Sequence, residues 1–294
     1  MKKKPVFVGI GELLWDMLPE GKKAGGAPIN FVYHATQLGA EGYAVSSVGK
    51  DVLGDEILKE LDKKGIRYLI ERTPFPTGQV LVELGGAGVP DYTILENVAW
   101  DHIPFTEAAV ELVRRADTVC FGTLAQRSPE SGETIRKLLR QVPESAFRFF
   151  DINMRQHYYS KEIIERSLEL SNVFKVNEDE FAVLKGMFGA EGTEKDVCLQ
   201  FIERFGLRYM ILTAGASYSA VYSADEFSVI PTPAVEVADT VGAGDSFSGA
   251  FIFSLISGKS LSDAHRFAVR IAAFVSSEEG AWPSYEGKES LLEI

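Results

Sequence analysis

The sequence predicts an α/β fold, with a mostly parallel central sheet covered by helices on both faces and a small β lid. Three observations lead there. Short β-branched runs alternate with amphipathic helical stretches through most of the 294 residues, the signature of repeated strand–helix units. The region 67–100 breaks that rhythm, with two alternating runs around a glycine-rich turn and no helix attached. No repeat or linker-like stretch divides the chain, so 1–294 reads as one domain with a β appendage at roughly 67–100 and part of 12–24.

In chain order, "PVFVGIG" (5–11) predicts the first strand and "APINFVYHATQLG" (27–39) a helix that Gly39 closes. "YAVSSVG" (43–49) predicts the next strand, followed by a helix over "VLGDEILKELDKKG" that stops at Gly65. The interrupted region is "RYLIERTPFPTGQVLVELGGAGVPDYTILE", a hairpin signal. In a sheet otherwise built from strand–helix units, such an insertion predicts a lid or a dimer flap, an antiparallel edge extension being the plainer reading. Further strands are expected at "DTVCFG" (117–122), "FRFFDI" (147–152), "NVFKVN" (172–177) and "RYMILTAG" (208–215), each with a helical pattern behind it. One such helix, "SPESGETIRKLLRQV", places Ser128 at the N-cap and Pro129 at its first position.

The net charge of −12 argues against nucleic acid or an anionic membrane surface as a partner, because phosphate backbones need clustered Lys and Arg. An anionic substrate must then be held by a local device. Cys120 and Cys198 are too few for a disulfide framework. The basic start is followed by an apolar run broken by Glu12 and Asp16, unlike a secretory leader, and a cytoplasmic protein is expected. The four histidines (34, 102, 157, 265) share no metal-ligand spacing and read as structural.

"DTVGAGDSFSGAF" (239–251) supplies the local device. Gly242 and Gly244 let the backbone turn tightly and let an anion approach the amides from Val241 through Ala243 to Gly244, while the helix that follows offers N–H groups without partners. The stretch itself reads as an anion hole free of cationic side chains. Asp245 falls in the first turn, where the helix dipole alone would favour an acid and hold its pKa low. Beside the anion hole, the same carboxylate can accept a proton from an attacking hydroxyl. Two partial motifs fail. "GKS" (258–260) lacks the earlier glycine of a Walker loop, where Phe253 stands, and "GIGELL" (9–14) has Leu14 for the third glycine of a dinucleotide fingerprint.

Taken with "AGGAPINFVYHATQLG" (24–39), the glycine–aspartate stretch resembles the two signature segments of the ribokinase-like (PfkB) carbohydrate kinases. "GELLWDML", "SVGKDVLGD", "FDINMR", "VNEDE" and "TAG" extend the resemblance over nearly the whole chain, and "FGTLAQRS" with "DINMR" is most similar to the fructokinase branch. The resemblance implies that Asp16, Gly25, Gly26 and Asn30 hold sugar hydroxyls and that Arg155 clamps a sugar oxygen or phosphate. It further implies that Asn177, Thr213, Gly215 and Thr240 line the nucleotide, with Glu180 attending Mg²⁺ through water. Asn177 and Glu180 equally fit a helix cap with acids in the first turn. Carbonyls of Asp239 and Val241 match positions that bind a monovalent cation such as K⁺ in many relatives.

The expectation is an ATP-dependent sugar kinase acting on a primary hydroxyl, with D-fructose the leading substrate. Ribokinase, 2-keto-3-deoxygluconate kinase and nucleoside kinase activities are the alternatives within the family, and a catalytically silent sugar-binding protein is the alternative outside it. The lid strands also suit pairing across a homodimer.

Overall fold

The alternating apolar side chains of the first strand, β1 (Val6–Ile10), divide between two cores. Val6, Val8 and Ile10 enter one buried cluster and Phe7 the other, so the strand is covered on both faces as parallel sheets require. The computed structural model describes residues 3–19, 21–84 and 90–291. After β1 come β2 (Leu14–Leu18), β3 (Gly21–Gly25), α1 (Ala27–Gln37), β4 (Glu41–Gly49), α2 (Val52–Lys63), β5 (Arg67–Thr73), β6 (Gly78–Leu84), β7 (Pro90–Ile94) and α3 (Glu107–Arg114). Strand–helix units follow: β8 (Thr118–Phe121) with α4 (Pro129–Leu139), β9 (Phe147–Asp151) with α5 (Lys161–Leu170), and β10 (Val173–Asn177) with α6 (Glu178–Phe188) and α7 (Glu194–Phe205). The last strands and α-helices are β11 (Tyr209–Ala214), β12 (Tyr218–Tyr222), β13 (Phe227–Pro231), α8 (Ala243–Ile256) and α9 (Leu261–Ser276), and a segment carrying Trp282 and Tyr285 follows them.

Nine strands form the main sheet in the order β13-β12-β11-β10-β9-β8-β1-β4-β5, parallel from β5 to β11. The chain leaves β1 toward β4 on one side and returns through β8 on the other, which makes the β1/β8 edge the switch point where ligands collect. A second sheet, β3-β2-β6-β7, forms the lid. α8 is apolar on all sides and packs in the second core with α1 and α9.

Two expectations change. The run 67–73 belongs to the main sheet, not the lid: α2 carries it across to pair parallel with β4. The lid is therefore built from β2 and β3 together with β6 and β7, and the glycine-rich turn at 85–89 lies outside the described residues. No helix follows "RYMILTAG". Gly215 turns at φ 47° and the chain behind it folds back as antiparallel β12 and β13. At α4, Pro129 takes the first position as expected, but the Ser128 side chain makes no capping bond.

Close packing of β1 on α1 requires Gly9, because a Cβ there would stand 2.1 Å from the Pro28 carbonyl oxygen. Gly9→Ala is expected to destabilise the fold by about 1–3 kcal/mol, the usual range for overpacking. An unchanged urea midpoint would show that α1 can retreat freely.

Candidate active site

The polar cleft begins where β3 turns into α1. Gly26 takes φ 130°, and a Cβ on it would overlap the Glu12 carbonyl at 2.1 Å, so only glycine fits this corner. At Gly25 an added Cβ would lie 3.4 Å from Asp16 Oδ2 and 4.0 Å from Asn30 Oδ1. The corner thus gathers Asp16, Gly25 and Asn30 in one place. Pro28, the second residue of α1, brings its fixed φ to the first turn, and Asn30 lies one turn in, buried.

Opposite stands the N-terminus of α8. Gly242 adopts φ 80° as its N-cap and lies so close to Ala281 that a Cβ would sit 2.9 Å from that Cα. The Ala243 N–H reaches the Thr240 carbonyl at 3.3 Å and the Ser246 N–H reaches the Gly242 carbonyl at 2.8 Å. Between them, the N–H groups of Gly244 and Asp245 fall in the open first turn, where a helix supplies no acceptor. The Val241 N–H is taken by Asp239 Oδ1 at 3.0 Å, which narrows the expected amide set. Asn30 Nδ2 donates to Asp245 Oδ2 at 2.7 Å across 215 residues of sequence, and this bond joins the two halves of the cleft.

The electrostatics correct two expectations. The Asp245 carboxyl is raised from 3.8 to about 6, chiefly by burial and then by the negative charge of Asp151, so desolvation overrides the helix dipole. The anion hole is also accompanied by cations. Lys175 Nζ lies where it would be 3.2 Å from a Cβ on Gly244, and it donates to Asp151 Oδ2 at 2.8 Å. Burial pulls the Lys175 ammonium down, but the charge and hydrogen bond of Asp151, with Asp245 and Glu180, more than offset this and keep it protonated. Arg155, exposed at the cleft rim, counteracts the burial of Glu12, Asp16 and Asp245. Burial lifts Asp16 to about 6 and Glu12 to about 7.

Of the residues expected to line a nucleotide, Asn177, Thr213 and Gly215 lie at the carboxyl ends of β10 and β11. Asn177 caps α6 by accepting the Glu180 N–H, and Glu180 in turn accepts the Asn177 N–H while its other oxygen accepts from Met154 N–H at 2.8 Å. The capping role open to this pair is therefore realised in full. Asn177 pairs in register with Thr213, and the Gly215 carbonyl accepts from Thr232 Oγ1. Thr240 and Val241 lie in the exposed turn before α8, which Asp239 latches by accepting the Gly280 N–H at 3.0 Å and approaching Lys23 at 3.7 Å. The Arg155 loop grips the lid through Gln156 Nε2 to the Tyr92 carbonyl.

Three contributors were not singled out from sequence. Lys175 had a visible signal, a lone lysine inside the apolar strand "NVFKVN". Glu12 also had one, as the first acid to interrupt the apolar start and part of "GELLWDML", whereas Trp282 had none. Trp282 Nε1 donates to Asn30 Oδ1 at 2.7 Å from 252 residues away. Three of the four histidines are engaged structurally, His34 with Tyr285, His265 with Ser219 and Ser228, and His102 with Glu130 and Asn97, while His157 is exposed beside Glu96 and Tyr158.

An open helix N-terminus for an anion, faced by a carboxylate and a cleft lined with acid and amide groups, is an arrangement able to support phosphoryl transfer to a hydroxyl. The chain belongs to the pfkB family of carbohydrate kinases, whose sequence profile matches residues 20–286. An uncharacterized sugar kinase of Pyrococcus horikoshii is 28% identical, with 98% of this chain and 94% of that one covered. The fructokinase of Xylella fastidiosa with bound ATP shares the fold at a TM-score of 0.84 and 20% identity, covering 99% of this chain and 98% of its own. The Vibrio cholerae fructokinase bound to fructose, ADP and calcium gives 0.80 at 21% identity, covering 98% and 97%. Among the described residues no helix is long and apolar enough to cross a membrane.

Lys175 and Asp151 side chains are each only 8% exposed, so removing one partner strands the other's charge. Lys175→Met is expected to cost about 3–5 kcal/mol in urea unfolding. A loss below about 1 kcal/mol would mean that water reaches Asp151. The raised acids act in the opposite sense. Asp16, Asp245 and Glu12 bind protons more tightly folded than unfolded, so the stability they contribute is full below about pH 4 and is lost as pH rises through about 6 to 7. Asp245→Asn should therefore raise stability by about 1–3 kcal/mol at pH 7.5, with no gain at pH 4, because each tenfold change in proton affinity is worth about 1.4 kcal/mol. Equal thermal midpoints for variant and parent at pH 7.5 would refute the raised carboxyl.

Proposed function

We propose that the protein transfers the γ-phosphoryl group of ATP to a primary hydroxyl of a neutral sugar, with D-fructose at O6 the leading substrate. The observation that carries this reading is Asp245 at the open first turn of α8, hydrogen-bonded to Asn30 at 2.7 Å. The sugar lies in the corner of Asp16, Gly25, Gly26 and Asn30. A carboxylate and an amide together supply the acceptors and donors that a polyol needs. A sugar already carrying phosphate would meet Glu12, Asp16 and Asp245, and the lid stretch 79–93 includes no lysine or arginine to receive it. Fructose as the choice among neutral sugars is supported by the likeness of "FGTLAQRS" and "DINMR" to the fructokinase branch.

ATP lies across the carboxyl edge of the sheet, toward Asn177, Thr213, Gly215 and Thr240. The N–H groups of Gly244 and Asp245, with the Gly242–Ala243 turn, stabilise charge growing on the transferred phosphoryl. Asp245 takes the proton of the attacking hydroxyl late in the transfer. The arrangement fits Mg²⁺ carried by phosphates and water. Among the described residues no group of three acids or histidines is set to cage a metal, and the Glu180 oxygens, each accepting one N–H, keep lone pairs for a bound water. When bound, the ion neutralises phosphate charge. The latched 239–241 turn is the place for K⁺ on the carbonyls of Asp239 and Val241, and the lid's outer strands offer an edge for a homodimer.

ADP release measured across fructose, ribose, ketodeoxygluconate and adenosine tests the assignment. Fructose is expected to give the highest kcat/KM, and a rate at the sugar-free background with all four would remove the kinase reading. Asp245→Asn is expected to lower kcat by about 10²- to 10⁴-fold with ATP affinity nearly intact. A variant retaining a tenth of the parent's kcat would assign the proton to another group.

A further inference from the structure

We propose that Trp282 is a positioning residue: it fixes the orientation of the Asn30 amide, so that Asn30 can offer Asp245 only an N–H and never its carbonyl oxygen. An indole N–H donates and cannot accept, so the 2.7 Å contact from Trp282 Nε1 identifies its Asn30 partner as Oδ1. The amide nitrogen is thereby turned to Asp245 Oδ2, also at 2.7 Å. The reversed amide would set oxygen against the carboxylate and N–H against N–H.

Trp282 is itself immobilised on α1. Its ring stacks on Tyr33 at 5.7 Å, its carbonyl accepts Lys64 Nζ at 2.9 Å, the next carbonyl, of Pro283, accepts the Tyr33 hydroxyl at 2.7 Å, and Tyr285 meets His34 Nδ1 at 2.8 Å. Both Trp282 and Asn30 are buried, so water does not compete for their bond.

An ionised Asp245 is served by the Asn30 N–H, whereas a protonated Asp245 would need an acceptor that the locked amide withholds. Trp282 therefore favours the charged, proton-accepting form, and a proton taken from a substrate is not trapped by Asn30. The other charged or titratable groups that act on Asp245 are Glu12 after β1, Cys120 on β8, Asp151 on β9, Arg155 in the loop behind it and Lys175 on β10. The single indole N–H is spent on Asn30, so deleting it reaches Asp245 through the amide and isolates this contribution from theirs.

The catalytic side of the inference rests on the kinase reading, while the positioning itself does not. The test is Trp282→Phe, which keeps an aromatic ring and deletes the N–H, read by the carboxyl-carbon NMR titration of Asp245 (assigned by its loss in Asp245→Asn). The titration midpoint is expected to rise from about 6 to about 7, and kcat/KM for the sugar to fall about fivefold at pH 6 but less than about twofold at pH 8.5, since that rise changes the ionised fraction in those proportions. An unchanged midpoint overturns the inference. Should the phenylalanine variant fail to fold, replacing the Trp282 indole with its benzothiophene isostere removes the N–H alone, and the same midpoint decides. A shifted midpoint in a chain that phosphorylates no sugar overturns the kinase reading and leaves the positioning intact. An active kinase with an unmoved midpoint does the reverse.

Discussion

The bond between Asn30 and Asp245 is the constraint on which the rest of the site depends. It links a helix near the start of the chain to one near its end, and it holds a carboxylate beside the unpartnered N–H groups of a helix terminus. A helix N-terminus attracts negative charge, and in the proposed reaction that attraction must serve two anions at once, a fixed carboxylate and a transferred phosphoryl. Crowding two anions into a half-buried corner is unfavourable unless positive charge and donors stand close. Lys175, Arg155 and the Asn30 amide supply them, each from a different element.

Burial decides the sign of the outcome. Partial charges at a helix end are worth a few tenths to about 2 kcal/mol, whereas desolvating a carboxylate costs more than that. Asp245 therefore titrates high, and the same holds for Glu12 and Asp16 in the neighbouring corner. The corner keeps acids that destabilise the folded chain near neutral pH, the common mark of a site arranged for chemistry at the expense of stability. The buried Lys175–Asp151 pair keeps its charges by direct contact at 2.8 Å and brings a cation within 3.2 Å of where a Cβ on Gly244 would lie.

Much of the architecture was legible because local rules and global fold agree. Strand–helix alternation, the Gly39 and Gly65 stops and Pro129 at a helix start all occur where expected. Local rules failed in two places. The run 67–73 alternates like a hairpin strand, yet α2 delivers it parallel to β4, the strand before it, and periodicity does not say which sheet a strand joins. Beyond Gly215, "YSAVY" carries a single β-branched residue, a weak strand signal behind a strand expected to be followed by a helix.

By itself, the sequence determined the class of fold, the glycine corners and the acid placed at a helix start, because backbone freedom and capping depend on residue type and near neighbours. Tertiary structure alone decided the strength of Asp245 as a base, the cation beneath Gly244 and the rotation of the Asn30 amide. Those properties arise from desolvation and from partners up to 252 residues away, and neither is carried by local spacing.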